Sequence, residues 1–81
     1  MNAAAIAAAL TEALEAAAAK EAGAPCVLVS LNFNLIGAPA PGQARASVAR
    51  KTRTLVFMHA DFIGPDGAAI ASAASVHRLT D

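Results

Sequence analysis

The sequence predicts an α+β fold in which one long helix packs on an antiparallel sheet. Two observations lead to this prediction: alanine dominates the first quarter of the chain, and apolar residues alternate with polar ones over most of the remainder. With 81 residues, the chain is long enough for one domain, spanning residues 1–81. A single helix on such a sheet forms a two-layer arrangement, in which alanine side chains let the layers approach closely.

The helix is predicted to run over Asn2–Ala22, because alanine has the highest helix propensity of all residues. Asn2 is suited to cap its amino end, and Gly23 followed by Pro25 is a typical stop signal. Apolar side chains recur every four residues and predict the stripe that faces the core: Ile6, Leu10 and Leu14.

Four strands are predicted from period-two alternation, over residues 27–35, 43–50, 54–63 and 68–80. A segment rich in glycine and proline separates the first two strands. Gly64-Pro65-Asp66-Gly67 forms a hairpin turn between the last two, because both glycines accept positive φ and the proline presets its own. This order predicts one helix followed by a four-stranded antiparallel meander.

The composition predicts self-association. Hydrophobic residues make up 57% of the chain and charged residues only 15%, whereas charged residues make up about 25% of typical soluble domains. A chain of this size buries only about 60–65% of the surface that its unfolded form exposes. We therefore expect copies of the chain to cover part of one another's surface, as a homodimer or a homotetramer.

Composition and charge also argue against several other partners. The net charge is zero, and three Phe with no Tyr or Trp match poorly with the basic, aromatic surfaces that bind nucleic acid. No apolar run reaches the roughly 18–20 residues that a transmembrane helix needs. The first charged residue is Glu12, so a basic signal-peptide region is missing.

The single Cys26 is interpreted as an inert core thiol, with a reactive thiol as the alternative. These features favour the cytoplasm, with neither nucleic acid nor membrane as a partner.

Arg50, Lys51 and Arg53 form the only concentrated charge in the sequence, and we call them the basic cluster. Guanidinium and ammonium groups bind phosphates through charge-assisted hydrogen bonds, so a small phosphate-bearing molecule is the expected ligand. The alternative is an ordinary solvated strand edge, where lysine also discourages aggregation between edges.

Short motifs follow one another in a characteristic order: Leu10-Thr11-Glu12 on the helix, Ser30–Leu35 before Pro41-Gly42, Lys51-Thr52-Arg53 before an apolar strand, and Asp66-Gly67 before an alanine-rich strand. This order resembles the hotdog-fold acyl-CoA thioesterase superfamily, in particular its phenylacetate-pathway type. The resemblance implies a hotdog-like fold, in which a curved antiparallel sheet wraps a long helix. Members of the superfamily have a further strand and a histidine-glycine loop ahead of the helix, so we expect this chain to be short at its N-terminus. Thr52 stands where they usually have glycine.

The resemblance also implies a function. It suggests a protein that hydrolyses or binds an acyl-CoA thioester, with Glu12 as general base or nucleophile acting across a dimer interface. Arg50, Lys51 and Arg53 would hold coenzyme A, which is part of the substrate, and no separate cofactor is implied. The alternative is a non-catalytic hotdog module that binds an acyl group or serves as an oligomerisation or interaction domain. Glu12 would then be a solvated surface carboxylate.

The remaining candidates for chemistry are weaker. His59 and Asp61 are two residues apart on one strand face and are predicted to pair. Neither His59 nor His77 has a second histidine or cysteine at ligand spacing, so no metal site is expected. No serine has the sequence context of a nucleophile elbow, which argues against a serine hydrolase.

Overall fold

A computed structural model of the protein describes residues 1–80, and its secondary structure agrees with the α+β prediction. One helix packs on one four-stranded antiparallel sheet. Each predicted element is present, and its ends differ from the prediction by at most one residue. The elements are α1 (Ala3–Ala22), β1 (Cys26–Leu35), β2 (Gln43–Lys51), β3 (Leu55–Ile63) and β4 (Ala69–Leu79).

Both predicted ends of α1 are confirmed. The side chain of Asn2 accepts a hydrogen bond from the backbone N–H of Ala5 at 2.9 Å, which satisfies one of the free donors at the helix start. Gly23 adopts a φ of 66°, and its N–H donates to the Ala19 carbonyl, which ends the helix in a left-handed cap. Among residues 1–80, no helix combines the length and hydropathy needed to cross a bilayer.

The predicted meander is wrong for the first strand. The order across the sheet is β1-β4-β3-β2, so β1 pairs with β4 instead of β2. Residues 36–42 connect β1 to β2, and Pro39 and Pro41 within them cannot donate to a strand ladder. This connection is too long for a tight hairpin turn, and it carries the chain to the opposite edge of the sheet. The two central strands, β3 and β4, are accordingly the most buried ones.

The core lies between α1 and one face of the sheet. The helix contributes its predicted stripe, extended by one residue, and all four side chains are fully buried: Ile6, Leu10, Leu14 and Ala18. The central strands contribute alternate residues: Val56, Met58, Ala60 and Phe62 from β3, and Ala71, Ala73, Ser75 and His77 from β4. Ala44 and Ala46 of β2 pack against this cluster from the side. Small side chains on both layers let the helix lie close to the sheet.

A bulge in β1 changes which of its side chains face the helix. The pairing with β4 shifts between Leu28 and Ser30, so Val29 is the extra residue. The strict alternation predicted from Val27 onward is therefore wrong at the start of the strand, where Val27 and Val29 are 45% and 51% exposed. Cys26 is a half-buried free thiol that packs against the core. Beyond the bulge, Phe33 packs against the core as well.

Candidate functional site

The basic cluster lies where β2 ends and the chain turns into β3. A second bulge precedes it, because the pairing of β2 with β3 shifts between Val48 and Arg50. After this bulge, Arg50 is opposite Phe57, which lies on the sheet face away from the helix, whereas Lys51 is opposite the buried Val56. The two basic side chains therefore leave the strand on opposite faces of the sheet.

Each member of the basic cluster has different surroundings. The Lys51 ammonium donates to the Glu21 carbonyl at 3.0 Å, close to the end of α1, where the helix dipole favours a cation. The Arg50 guanidinium lies 5.9 Å from the centre of the Phe57 ring, within the range of a cation–π contact. Arg53 is exposed, and residues 1–80 provide it with no hydrogen bond or ion pair.

Thr52, in the middle of the basic cluster, shapes the turn. Its backbone N–H donates to the Leu55 carbonyl at 2.8 Å. Its hydroxyl accepts from the Leu55 N–H at 3.1 Å. These bonds close the turn between β2 and β3 and give the threonine a structural role in this chain.

Glu12 lies on the exposed side of α1, away from the buried stripe. Its carboxylate forms no hydrogen bond or ion pair with any of residues 1–80. At about 1.5 Å per residue, Glu12 is roughly 13 Å along the helix axis from Glu21, whose carbonyl binds Lys51. Within one chain, the structure thus does not bring Glu12 and the basic cluster together.

A buried hydrogen bond joins Ser75 and His77, a pair that the sequence patterns above do not predict. The Ser75 hydroxyl oxygen lies 2.7 Å from Nε2 of His77, and both residues face the helix from β4 with exposures of 3% and 1%. Burial lowers the pKa of His77, and the negative charge of Glu15 opposes that shift. The signal in the sequence was a serine and a histidine two residues apart on the buried face of a strand. Their burial indicates a structural pair.

The buried imidazole predicts that the fold loses stability in mild acid. The folded state favours neutral His77, so its contribution is fully present above the unfolded pKa of about 6.5 and is lost as the pH falls below that value. Between pH 7.5 and 5.5, the free energy of unfolding should decrease by at most about 1.4 kcal/mol per pH unit. Urea titrations at several pH values should show this decrease in the wild type and in the control variant His59→Gln. If His77→Gln shows the same decrease, His77 is not the group that destabilises the fold in acid.

His59 and Asp61 pair as predicted. Nε2 of His59 lies 3.3 Å from Oδ1 of Asp61, on the sheet face away from the helix. The two side chains are 48% and 42% exposed, so water screens the pair and it contributes little to stability. Among residues 1–80, no group of three or more histidine, cysteine or acidic side chains is arranged to hold a metal ion.

A cleft of about 440 Å³ lies at the far end of the sheet from the basic cluster. One wall is formed at the start of β2 and just before it, by Pro41, Gly42, Gln43 and Arg45. The other wall is formed at the end of β3 and in the hairpin turn, by Ile63, Gly64, Pro65 and Gly67. Neither Glu12 nor any member of the basic cluster lines it. The cleft is therefore separate from the site predicted by the resemblance.

No family model matches this sequence, and no curated protein matches it significantly. Solved structures do match its fold. A protein from the thioesterase superfamily superposes with a TM-score of 0.84 at 20% identity, over 96% of this chain and 61% of that one. The chain has the hotdog fold. The helix across an antiparallel sheet, predicted from alternation and from the order of motifs, is thereby confirmed.

Two further hotdog structures add to the comparison. A Bacillus halodurans protein whose crystal structure contains CoA has a TM-score of 0.79 at 15% identity, over 88% of this chain and 53% of that one. A phenylacetic acid degradation-related protein from Ralstonia eutropha has a TM-score of 0.73 at 22% identity, over 91% and 58%. The chain thus spans between half and two thirds of the length of these proteins.

Proposed function

We propose that this hotdog-fold chain binds an acyl-CoA thioester and hydrolyses it. The observation that carries the proposal is the shared fold: thioesterase-superfamily structures match nearly the whole chain, and one matching structure contains CoA. The motifs in the sequence support the same assignment independently, because their order resembles that of acyl-CoA thioesterases. The acyl-CoA thioester is the small-molecule partner, and coenzyme A is part of the substrate.

In the proposed reaction, the Glu12 carboxylate acts as a general base. It takes a proton from a water molecule, whose oxygen attacks the thioester carbonyl carbon. The carbon–sulfur bond then breaks, and the thiolate of coenzyme A leaves and is protonated. Attack by Glu12 itself, followed by hydrolysis of the resulting anhydride, would give the same products. The exposure of Glu12 leaves its carboxylate free to reach a substrate.

The edge strand β1 carries the proposed contact between copies of the chain. The basic cluster lies at the end of β2, on the opposite edge, so this contact does not by itself bring Glu12 to the basic cluster of a partner. Strand β1 forms one edge of the sheet, and we call its exposed apolar side chains the β1 edge: Val27, Val29, Leu31, Leu35 and Ile36. An edge with unpaired backbone groups and apolar side chains favours pairing with another chain. We therefore propose a homodimer, or a homotetramer built from dimers, in which the β1 edge is covered.

A charge introduced at the β1 edge tests the assembly. Val29→Lys places an ammonium at the bulge of β1, where it should block the approach of a second chain. We expect sedimentation at micromolar concentration to show a dimer or tetramer for the wild type and a monomer for Val29→Lys. Ala49→Lys, at the equivalent bulge of the opposite edge strand β2, should leave the assembly unchanged. A wild type that sediments as a stable monomer would contradict the proposal.

The basic cluster is proposed to hold the phosphates of coenzyme A. Replacing Lys51 and Arg53 together with alanine should weaken binding by about 2–4 kcal/mol, because each charge-assisted contact contributes about 1.5–3 kcal/mol before solvent exposure reduces it. Binding should also weaken with added salt, because exposed charges are screened over about 8–10 Å at ordinary ionic strength. Calorimetric titration of coenzyme A into both proteins measures these effects.

A double variant with the same change in charge provides the control. Lys20→Ala with Arg78→Ala removes two exposed cations outside the basic cluster and should bind coenzyme A like the wild type. Since Lys51 also contacts the end of α1, circular dichroism should confirm that the first double variant is folded. Equal heats of binding in all three proteins would refute the phosphate site.

The alternative function is a non-catalytic hotdog module that binds an acyl group or mediates assembly. One observation favours it: no side chain among residues 1–80 hydrogen-bonds to Glu12 or orients its carboxylate. A module of this kind would bind coenzyme A or its acyl derivatives without releasing thiol. Binding without turnover is therefore the result that distinguishes it from the enzyme.

A further inference from the structure

The cleft at the far end of the sheet is preformed. In the hairpin turn, the Gly64 N–H donates to the Ala68 carbonyl at 2.9 Å and the Gly67 N–H donates to the Gly64 carbonyl at 3.0 Å. The Ala68 N–H donates to the Asp66 carboxylate at 3.1 Å, so a side chain also stabilises this turn. Three hydrogen bonds thus already hold the turn, so little conformational entropy would be lost when a ligand enters.

The opposite wall is held close to β3. A methyl group added at Gly42 would clash with the carbonyl oxygen of Ile63 and lie 2.9 Å from the Phe62 ring. The backbone of Gly42 therefore sits directly against β3, and Pro41 beside it has a fixed φ. Backbone contacts and proline rings set the width of the cleft. Because these groups are rigid, the width should change little when a ligand binds.

Arg45 is the charged residue that lines the cleft. Its cross-strand partner is Asp61, one of whose carboxylate oxygens lies 3.3 Å from Nε2 of His59. Among residues 1–80, Arg45 has no hydrogen bond or ion pair of its own. The cleft thus offers an exposed guanidinium that no other group among residues 1–80 binds.

The remaining lining is apolar or amide. Ile63, Pro41 and Pro65 provide apolar surface, and Gln43 provides one amide that can donate or accept a hydrogen bond. The volume of about 440 Å³ falls within the range of about 300–1,000 Å³ found for small-molecule sites. Six of the eight lining residues are exposed, so the cleft is an open groove that leaves part of a ligand in water. Apolar walls with a few placed polar groups are the usual composition of such sites.

We propose that this cleft binds a small organic carboxylate. The planar guanidinium of Arg45 matches a carboxylate with two parallel hydrogen bonds, and the apolar body of the ligand lies against Ile63 and the two prolines. The site is separate from Glu12 and the basic cluster, and the proposal holds whether or not the chain hydrolyses thioesters.

Backbone amide NMR on the full chain tests the proposal with benzoate as the probe. Sodium benzoate should produce saturable shifts in the amides of Gly42, Gln43, Gly64 and Gly67. Benzamide, which has the same ring without the charge, should bind at least roughly tenfold more weakly, because it loses a charge-assisted contact. Inorganic phosphate, an anion without an apolar body, should also bind more weakly than benzoate.

Two variants distinguish binding in the cleft from nonspecific binding of anions elsewhere on the protein. Arg45→Gln should weaken benzoate binding by roughly tenfold or more, whereas Arg78→Gln should leave it unchanged. The amide spectrum itself shows whether each variant is folded. The proposal is overturned if benzoate gives no saturable shifts in these amides, if benzamide or phosphate binds as tightly, or if Arg45→Gln binds like the wild type.

Discussion

Glu12→Gln is expected to reduce the rate of thiol release from acyl-CoA thioesters by about 10²–10⁴-fold, the usual contribution of a general base. The glutamine side chain has nearly the same shape but cannot accept the proton of the attacking water. Coenzyme A binding should be unchanged, because the proposed phosphate contacts come from Arg50, Lys51 and Arg53. Reaction with a thiol reagent measures the rate, and calorimetry measures the binding.

Glu15→Gln is the matched control for this experiment. Glu15 is an exposed glutamate on the same helix, and its replacement removes the same charge from a position with no proposed contact to substrate. Its turnover should equal that of the wild type. An equal loss in both variants, or no loss in Glu12→Gln, would remove Glu12 from the mechanism.

Leu10→Ala is expected to reduce the free energy of unfolding by about 2–5 kcal/mol. Leu10 is fully buried in the middle of the stripe by which α1 contacts the sheet. Removing its side chain leaves a cavity between the helix and the sheet, and such cavities collapse only partly. Because domains of this kind have a total stability of only about 5–15 kcal/mol, the variant should be close to unfolding at room temperature.

Urea denaturation followed by circular dichroism measures this loss. Lys20→Ala removes a long but exposed side chain from the same helix and should change stability by no more than about 0.5 kcal/mol. A Leu10→Ala protein as stable as the wild type would mean that α1 does not form the core described above.

The local structure was predictable because alternation and helix propensity act over a few residues. The alternation of residues 70–76 identifies β4 as a strand, but it does not identify the buried face, because Ile70 and Val76 lie on the face opposite the buried alanines. The stripe of Ile6, Leu10 and Leu14, in contrast, identifies the buried side of α1. Such patterns depend only on residues that are close together in the sequence.

The sheet order and the bulges could not be read from the same patterns. Whether β1 pairs with β2 or with β4 depends on contacts between residues far apart in sequence, and both strands have a compatible alternation. A bulge adds one residue without a distinct sequence signal, and it reverses the face of every later side chain. Strict alternation therefore predicts Val27 on the same face as Leu31, whereas the structure has them on opposite faces.

The candidate site was predicted as a set of residues, but its geometry was not. The basic cluster is contiguous in sequence, yet the bulge before Arg50 sends that side chain and the Lys51 side chain to opposite faces. The pairing of His59 with Asp61 was predictable because both lie on one face of one strand. The same rule applied to Ser75 and His77 would have found the buried pair.

Thiol release from a panel of acyl-CoA thioesters tests the central proposal most directly. The wild-type chain, at concentrations where it is assembled, should release thiol from at least one substrate faster than buffer alone. The rate should saturate with substrate, because catalysis follows binding at a defined site. If no substrate in the panel releases thiol above the buffer rate while coenzyme A still binds, the chain is a binding module and the hydrolase proposal is contradicted.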